Sequence, residues 1–272
     1  MSVLEHATTG RRKLSIWQAT KAAYRSTFAN PGRLAIAAAV PFVLSLLLDG
    51  FFAPEASGFG LTLAYTAAST AILALFELTW LRFLLLGPAQ AETGLLPGTN
   101  RRLPSFVAYS LLLLLLFMPA LLLVQITQEN PESASAGIVI GTIVVYVLAI
   151  YLCTRFILVY PWIAVDAPER LTASWRATAG NGLRLIFAIL LAGIPLLVTA
   201  GIIIVVVVVV FHGDAQQINI AAQQGLMPWV SNAIGNLLVY IFYALSCGVT
   251  AYAFSALTGW QGDRRELLER FD

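Results

Sequence analysis

RLIFAILLAGIPLLVTAGIIIVVVVVVF, residues 184–211, is the most apolar stretch of the chain. After Arg184 it carries no charged residue, and a helix that crosses a membrane needs about 20 mostly apolar residues. The run Ile202–Val210 is almost wholly β-branched, and in water it would indicate a buried strand. In lipid an open strand leaves its backbone N–H and C=O groups without partners, so a helix is favoured. We therefore predict a transmembrane helix here.

The composition of the whole chain agrees with a protein that is embedded in lipid. Of its 272 residues 59% are hydrophobic and 11% are charged, and the mean hydropathy is +0.82. A soluble domain would have about a quarter charged residues. Six stretches are long and apolar enough to span a membrane: 34–53, 59–86, 105–126, 136–160, 184–211 and 231–258. We predict an all-α polytopic membrane bundle that forms a single domain over residues 1–272.

The sixteen Lys and Arg residues lie only in alternate connections between these spans. They are Arg11, Arg12, Lys13, Lys21, Arg25 and Arg33 before the first span, Arg82, Arg101 and Arg102 around the second connection, Arg155, Arg170, Arg176 and Arg184 around the fourth, and Arg264, Arg265 and Arg270 after the sixth. The other connections have no basic residue but hold Asp49, Glu55, Glu129, Glu132 and Asp214. Because basic residues are retained on the cytoplasmic side, we predict cytoplasmic N- and C-termini in a bacterial cytoplasmic (inner) membrane.

Two segments on the predicted cytoplasmic side are amphipathic but too short to span the membrane. They are residues 14–30 and 166–180, and each combines aromatic and basic side chains as helices in the membrane interface do. The candidate residues for contact with lipid are Trp17, Lys21, Tyr24, Arg25, Phe28, Trp175 and Arg176. We expect anionic headgroups of the inner leaflet to be their partners.

The two amphipathic segments also resemble each other. Residues 24–34 and 175–185 share Arg, Thr, Asn, Arg and Leu at matching positions without a gap. Either a parallel internal repeat, as some transporters have, or independent adoption of similar chemistry explains the match.

Glu77 is the only acidic residue well inside a predicted span, and Arg155 occupies the corresponding level of the fourth span. A carboxylate at that depth is costly unless it is paired, protonated or hydrated. We identify Glu77 and Arg155 as a candidate intramembrane pair. The alternatives are that Glu77 extends to the inner headgroups or is a proton- or ion-responsive carboxylate in a path between helices.

Along the last span, Asn232, Asn236 and Tyr240 recur every four residues, a spacing that favours helix packing and hydrogen bonds between helices.

The sequence gives little support for catalysis, a metal or a cofactor. His6 and His212 fall on opposite sides of the predicted membrane, so they cannot share a metal site. No glycine-rich phosphate loop or G-x-S-x-G elbow is present. Cys153 and Cys247 lie in apolar spans and are expected to be small buried side chains. Nucleic acid is not an expected partner, since no basic patch is interleaved with exposed aromatic residues.

The run from Arg155 to Leu185 resembles a known family. Its residues are Arg155-Phe156, Pro161, Asp166 or Glu169, Ser174-Trp175-Arg176, Thr178, Gly180-Asn181 and Arg184-Leu185. Over these roughly thirty residues the chain is similar to a group of uncharacterised bacterial six-helix membrane proteins, which is itself similar to the membrane domain of some glycerophosphodiester phosphodiesterases. The resemblance implies a bacterial integral membrane protein linked to lipid. Only about a dozen polar residues follow the last span, so we expect neither the catalytic barrel nor phosphodiesterase activity.

Two functions are compatible with these features. The first is a non-enzymatic scaffold or accessory protein that interacts with lipid, a membrane partner protein or a second copy of the chain. The second is a small-solute or ion transporter that uses Glu77 as a proton-responsive carboxylate. A path lined by charge near Glu77 would favour the transporter, and a bundle with Glu77 paired at its inner rim would favour the scaffold.

Overall fold

The computed structural model describes residues 13–52, 59–88, 102–129, 136–167, 171–210 and 227–260, and within these ranges it contains helices and no strand. The helices are α1 (Ile16–Phe28), α2 (Pro31–Phe51), α3 (Phe59–Leu86), α4 (Arg102–Leu114), α5 (Met118–Glu129), α6 (Ala136–Phe156), α7 (Val159–Ala164), α8 (Leu171–Ala177), α9 (Gly182–Val210) and α10 (Met227–Thr258). A 3-10 turn, Leu115–Phe117, joins α4 to α5. The predicted all-α class is therefore confirmed.

Six helices or helix pairs are long and apolar enough to cross a membrane, as the sequence predicted. They are Pro31–Phe51, Gly60–Leu86, Arg102–Gln125, Ala136–Ala164, Gly182–Ile203 and Trp229–Thr258. The β-branched run at the end of α9 is helical up to Val210, which agrees with the argument from backbone hydrogen bonding in lipid. The chain is thus a multi-pass membrane protein.

Several sequence features lie outside the described residues. These are the acidic residues Glu55, Glu132 and Asp214, the basic residues Arg11, Arg12, Arg101, Arg170, Arg264, Arg265 and Arg270, both histidines, and Glu169. Asp49 was expected in the first connection, but it lies in the last turn of α2.

Proline residues interrupt the spans in different ways. In the third span the 3-10 turn Leu115–Phe117 ends two residues before Pro119. A proline removes one backbone donor and clashes with the preceding turn, which accounts for the break between α4 and α5. Pro41 and Pro195 lie inside the continuous helices α2 and α9.

The packed core lies toward one end of the bundle. We call this the basic end: it is where α2, α4 and α9 begin and where α3, α7 and α10 finish. Its fully buried side chains include Phe76, Trp80, Phe106, Leu185 and Phe254. At the opposite end large apolar side chains are exposed on the bundle surface, among them Phe51, Ile140, Val205 and Trp229. Lipid is the natural solvent for such a surface.

Helix α1 runs alongside the first half of α9. Two α1 donors bond to α9 at an offset of 168 residues: Thr20 Oγ1 to the Ala188 carbonyl and Tyr24 Oη to the Ala192 carbonyl. Just before the two helices, Leu14 N donates to Asn181 Oδ1 at an offset of 167 residues. A nearly constant offset over ten residues, about 15 Å of helix, requires two helices that lie side by side in the same direction. A helix that crossed α9 at a steep angle would contact it near one position only.

The other side of α1 packs closely on α10. A Cβ at Gly248 would lie 2.7 Å from the Cα atom of Ala23. Ala19, Ala22 and Ser26 are also buried on this side of α1. Small residues at such a contact allow two helix backbones to approach each other.

The side chains of α1 divide into a buried set and an exposed set, which the prediction of a helix in the membrane interface did not specify. Ala23 is completely buried against α10, whereas Trp17 is 69% exposed and Phe28 57% exposed. The physical reason is that the small residues of α1, which a helical wheel ranks as weakly apolar, make the closest contacts.

Candidate functional site

A cavity of about 450 Å³ lies inside the bundle. Residues from α3, α4, α6, α7, α9 and α10 line it, so that every span except the first contributes. Its volume is within the usual range for small-molecule sites, about 300–1,000 Å³. Eleven of its 21 lining residues are leucine, isoleucine or phenylalanine, and eight carry a hydroxyl or carboxyl group.

Glu77 lines this cavity from α3. Among the residues that the structure describes, it has neither an ion-pair partner nor a hydrogen-bond partner. The groups close enough to interact with it electrostatically are Tyr160 of α7 and Tyr243 and Cys247 of α10. None of these is cationic, so the carboxyl group remains available to a ligand, a proton or water.

Arg155, the predicted partner of Glu77, is held elsewhere. Its side chain donates to the Trp175 carbonyl at 2.8 Å, and its Cζ atom lies 4.2 Å from the centre of the Trp175 ring. Its own carbonyl accepts bonds from Ser174 Oγ and Thr178 Oγ1. Arg155 therefore locks α8 against the end of α6, and the described structure contains no ion pair between it and Glu77.

Most hydroxyl groups at the cavity are already engaged. Each of four donates to a backbone carbonyl four residues earlier in its own helix: Thr70, Ser110, Thr154 and Thr250. Ser246 Oγ differs, because it is buried and has no partner within the described part of the chain. A buried hydroxyl without a partner costs free energy, and this oxygen has almost no accessible surface, so it is not a ligand contact of the cavity as it stands.

The basic end contains a separate ion-pair network that holds α3, α4 and α7 together. Asp166 accepts two bonds from Arg102, at 2.6 and 2.5 Å, and lies 3.9 Å from Arg82. Arg82 also donates to the Ala164 carbonyl. The φ of Asp166, 58°, places it in the left-handed region, which aspartate tolerates better than most residues.

The residues predicted to contact lipid form two groups on the surface. Trp17, Lys21, Arg25 and Phe28 recur three or four residues apart along α1 and are all exposed, while Tyr24 is half-buried and stacks on Phe28. Trp175 and Arg176 are exposed on α8. The α8 helix packs on α6 and α7.

The polar residues of the last span act at the opposite end. Asn236 donates to Asp49 at 2.6 Å, and Asp49 also accepts a bond from Tyr65. One turn further, the Tyr240 hydroxyl lies 3.0 Å from Ser45 Oγ. The four-residue spacing thus produces a packing seam between α10 and α2.

Sequence reasoning identified Glu77 but missed the residues around it. Tyr160, Tyr243 and Ser246 carry no local signal, since they belong to ordinary apolar helices. Both cysteines, expected to be inert buried side chains, line the cavity. No group of three His, Cys, Asp or Glu residues that could hold a metal ion occurs in the ranges that the structure describes.

No protein-family model matches the chain, and comparisons with curated proteins and with solved structures also give no match. The resemblance noted for residues 155–185 therefore stays a prediction.

Proposed function

We propose that this membrane protein is a small-solute transporter, in which Glu77 binds the solute and exchanges it for a proton. The observation that carries the proposal is the position of Glu77 in a cavity between five spans, without a protein partner among the described residues. An ionisable residue inside a membrane is costly and usually marks a substrate or proton pathway. A scaffold would have no use for such a cavity.

The charge pattern sets the direction of the proposed transporter. We propose that the basic end faces the cytoplasm of a bacterium, because every described arginine lies in α1 or near that end: Arg25, Arg33, Arg82, Arg102, Arg155, Arg176 and Arg184. The packed basic end would then form the inner gate, and the opposite end, held by the Asp49–Asn236 contact, the outer one.

The two native cysteines provide a test. Cys153 and Cys247 are the only cysteines of the chain, and both line the cavity. In proteoliposomes of uniform orientation, a charged thiol reagent that cannot cross lipid should modify Cys247 when it is added to either side, because a transporter opens to both sides in turn. The measurement is the modified fraction by mass spectrometry.

The control is Leu148→Cys in a background with both native cysteines changed to serine. Leu148 is an exposed residue of α6, so a thiol there faces lipid and should react slowly with a charged reagent. If Cys247 reacted no faster than this control from both sides, the cavity would be closed and the transporter hypothesis would be wrong.

A lipid-binding scaffold is the second candidate, and the exposed row of Trp17, Lys21, Arg25 and Phe28 favours it. Aromatic and basic side chains in one exposed row suit an interface with anionic headgroups. Trp17→Ala combined with Trp175→Ala should then reduce the number of anionic lipids that copurify with the protein. An unchanged lipid count, measured by native mass spectrometry, would remove the proposed lipid role.

A further inference from the structure

We propose that the solute of the cavity is a monovalent organic cation, an amine with an apolar body, which forms an ion pair with Glu77. The inference rests on the proposed function, since it names the class of solute for the same cavity.

The charge of the lining selects a cation. Within the described part of the chain, Glu77 is the one charged side chain that lines the cavity. In surroundings of low dielectric constant a carboxylate needs a partner of opposite charge. An anion or a zwitterion would bring a second negative group, for which the described lining offers no Lys, Arg or His.

The hydrogen-bonding groups argue against a sugar and against a metal ion. The hydroxyls of Thr70, Ser110, Thr154 and Thr250 already donate to backbone carbonyls, so few donors remain for a polyhydroxylated solute. A divalent cation such as Ca²⁺ needs about six to eight oxygen ligands, and only one carboxylate is present. An ammonium group has three donors, and the two carboxylate oxygens of Glu77 offer acceptors for them.

The remaining lining suits the apolar body of such an amine. Phe117, Tyr160, Phe242 and Tyr243 contribute aromatic rings, and Tyr160 and Tyr243 are the two that interact electrostatically with Glu77. Aromatic faces attract cations within about 6 Å of the ring centre. Glu77 and these rings line the same cavity, so one molecule can place its charged head at the carboxylate and its apolar body against the rest of the lining.

Three probes with the same apolar body test whether the cavity prefers a cation: phenylbutylamine, phenylbutanol and phenylbutyrate. The full-length protein is placed in lipid nanodiscs, and the rate at which Cys247 reacts with a small thiol reagent is measured against the concentration of each probe. The amine should protect Cys247 at a concentration at least about tenfold lower than the alcohol, because the alcohol leaves the carboxylate unpaired. Phenylbutyrate should not protect.

Variants of Glu77 test whether the preference for the amine depends on the negative charge of the carboxylate. In Glu77→Gln the amine and the alcohol should protect Cys247 equally, to within about twofold, whereas Glu77→Asp should keep the preference for the amine.

The outcomes distinguish the two proposals. Equal protection by the amine and the alcohol in the unaltered protein, or no protection by the amine, would overturn the cation class and leave the transporter standing. If Cys247 did not react in ligand-free protein, the transporter and the cation class would both be overturned.

Discussion

Two carboxylates of this protein have opposite surroundings, and their substitution should have opposite effects. Glu77 lines the cavity without a protein partner in the described structure, whereas Asp166 accepts two bonds from Arg102. We expect the first carboxylate to lower stability, because an unpaired carboxylate inside a membrane is costly. The second stabilises the joint between α4 and the turn after α7.

We expect Glu77→Gln to raise the free energy of unfolding by about 1–3 kcal/mol, because a neutral amide of the same shape is less costly inside a membrane. Asp166→Asn should lower it by about 1 kcal/mol, a modest loss because Asp166 is more than half exposed. The measurement is chemical unfolding in detergent micelles, followed by circular dichroism. A loss of stability in Glu77→Gln as large as that in Asp166→Asn would show that Glu77 has a structural partner.

The predicted pair of Glu77 and Arg155 shows that the sequence gives the depth of a residue in the membrane but not its partner. Counting along the spans placed both side chains at a similar depth, and depth follows directly from the rise of a helix. Whether two residues at one depth meet depends on how each helix is rotated about its axis. In the structure α6 presents Arg155 to Trp175 and α3 presents Glu77 to the cavity.

Among the helices, the six spans could be predicted and the pose of α1 could not. Long apolar stretches give both the existence and the approximate bounds of a span, because membrane thickness sets their length. Trp17 and Phe28 lie in the same exposed row of α1 as Lys21 and Arg25. The sequence pattern could not show that Ala19 and Ala23 pack on α10. That contact depends on Gly248, more than two hundred residues away in the sequence.

The docking of α1 should be sensitive to a single methyl group on α10. A Cβ at position 248 would lie 2.7 Å from the Ala23 backbone and 2.9 Å from its side chain, closer than atoms pack, so α1 must shift. We expect Gly248→Ala to lower the free energy of unfolding by about 1–3 kcal/mol and to speed hydrogen exchange along α1. Thermal unfolding and hydrogen-exchange mass spectrometry in micelles measure these effects.

Gly201→Ala is the matched control, because nothing lies within 4 Å of a Cβ at that position of α9. Alanine is the better helix former by about 0.5–1 kcal/mol, so the control should be as stable as the unaltered protein or slightly more stable. If Gly248→Ala behaved like Gly201→Ala, the close packing of α1 on α10 would be wrong.

In the whole molecule, the buried aromatic core and the ion-pair network lie at the same end of the bundle. The basic end has the buried aromatic core and the Arg82–Asp166–Arg102 network, while the opposite end exposes apolar side chains to its surroundings. Charge in this position resists transfer across the membrane during insertion. We therefore expect the end that contains the buried aromatic core to determine the orientation as well.

The predicted orientation can be tested with reporter fusions in bacterial cells. Arginines at the start of α2, α4 and α9 and at the end of α3 and α6 predict that all five helix ends lie in the cytoplasm. A periplasmic reporter should be active when it is joined after residue 54 or residue 130, because one span or three spans precede it. The same reporter should be inactive when it is joined after residue 94, because two spans precede it. A cytoplasmic reporter should give the reverse pattern. Activity of the cytoplasmic reporter at 54 or 130 would contradict the orientation, and with it the assignment of the basic end as the inner gate.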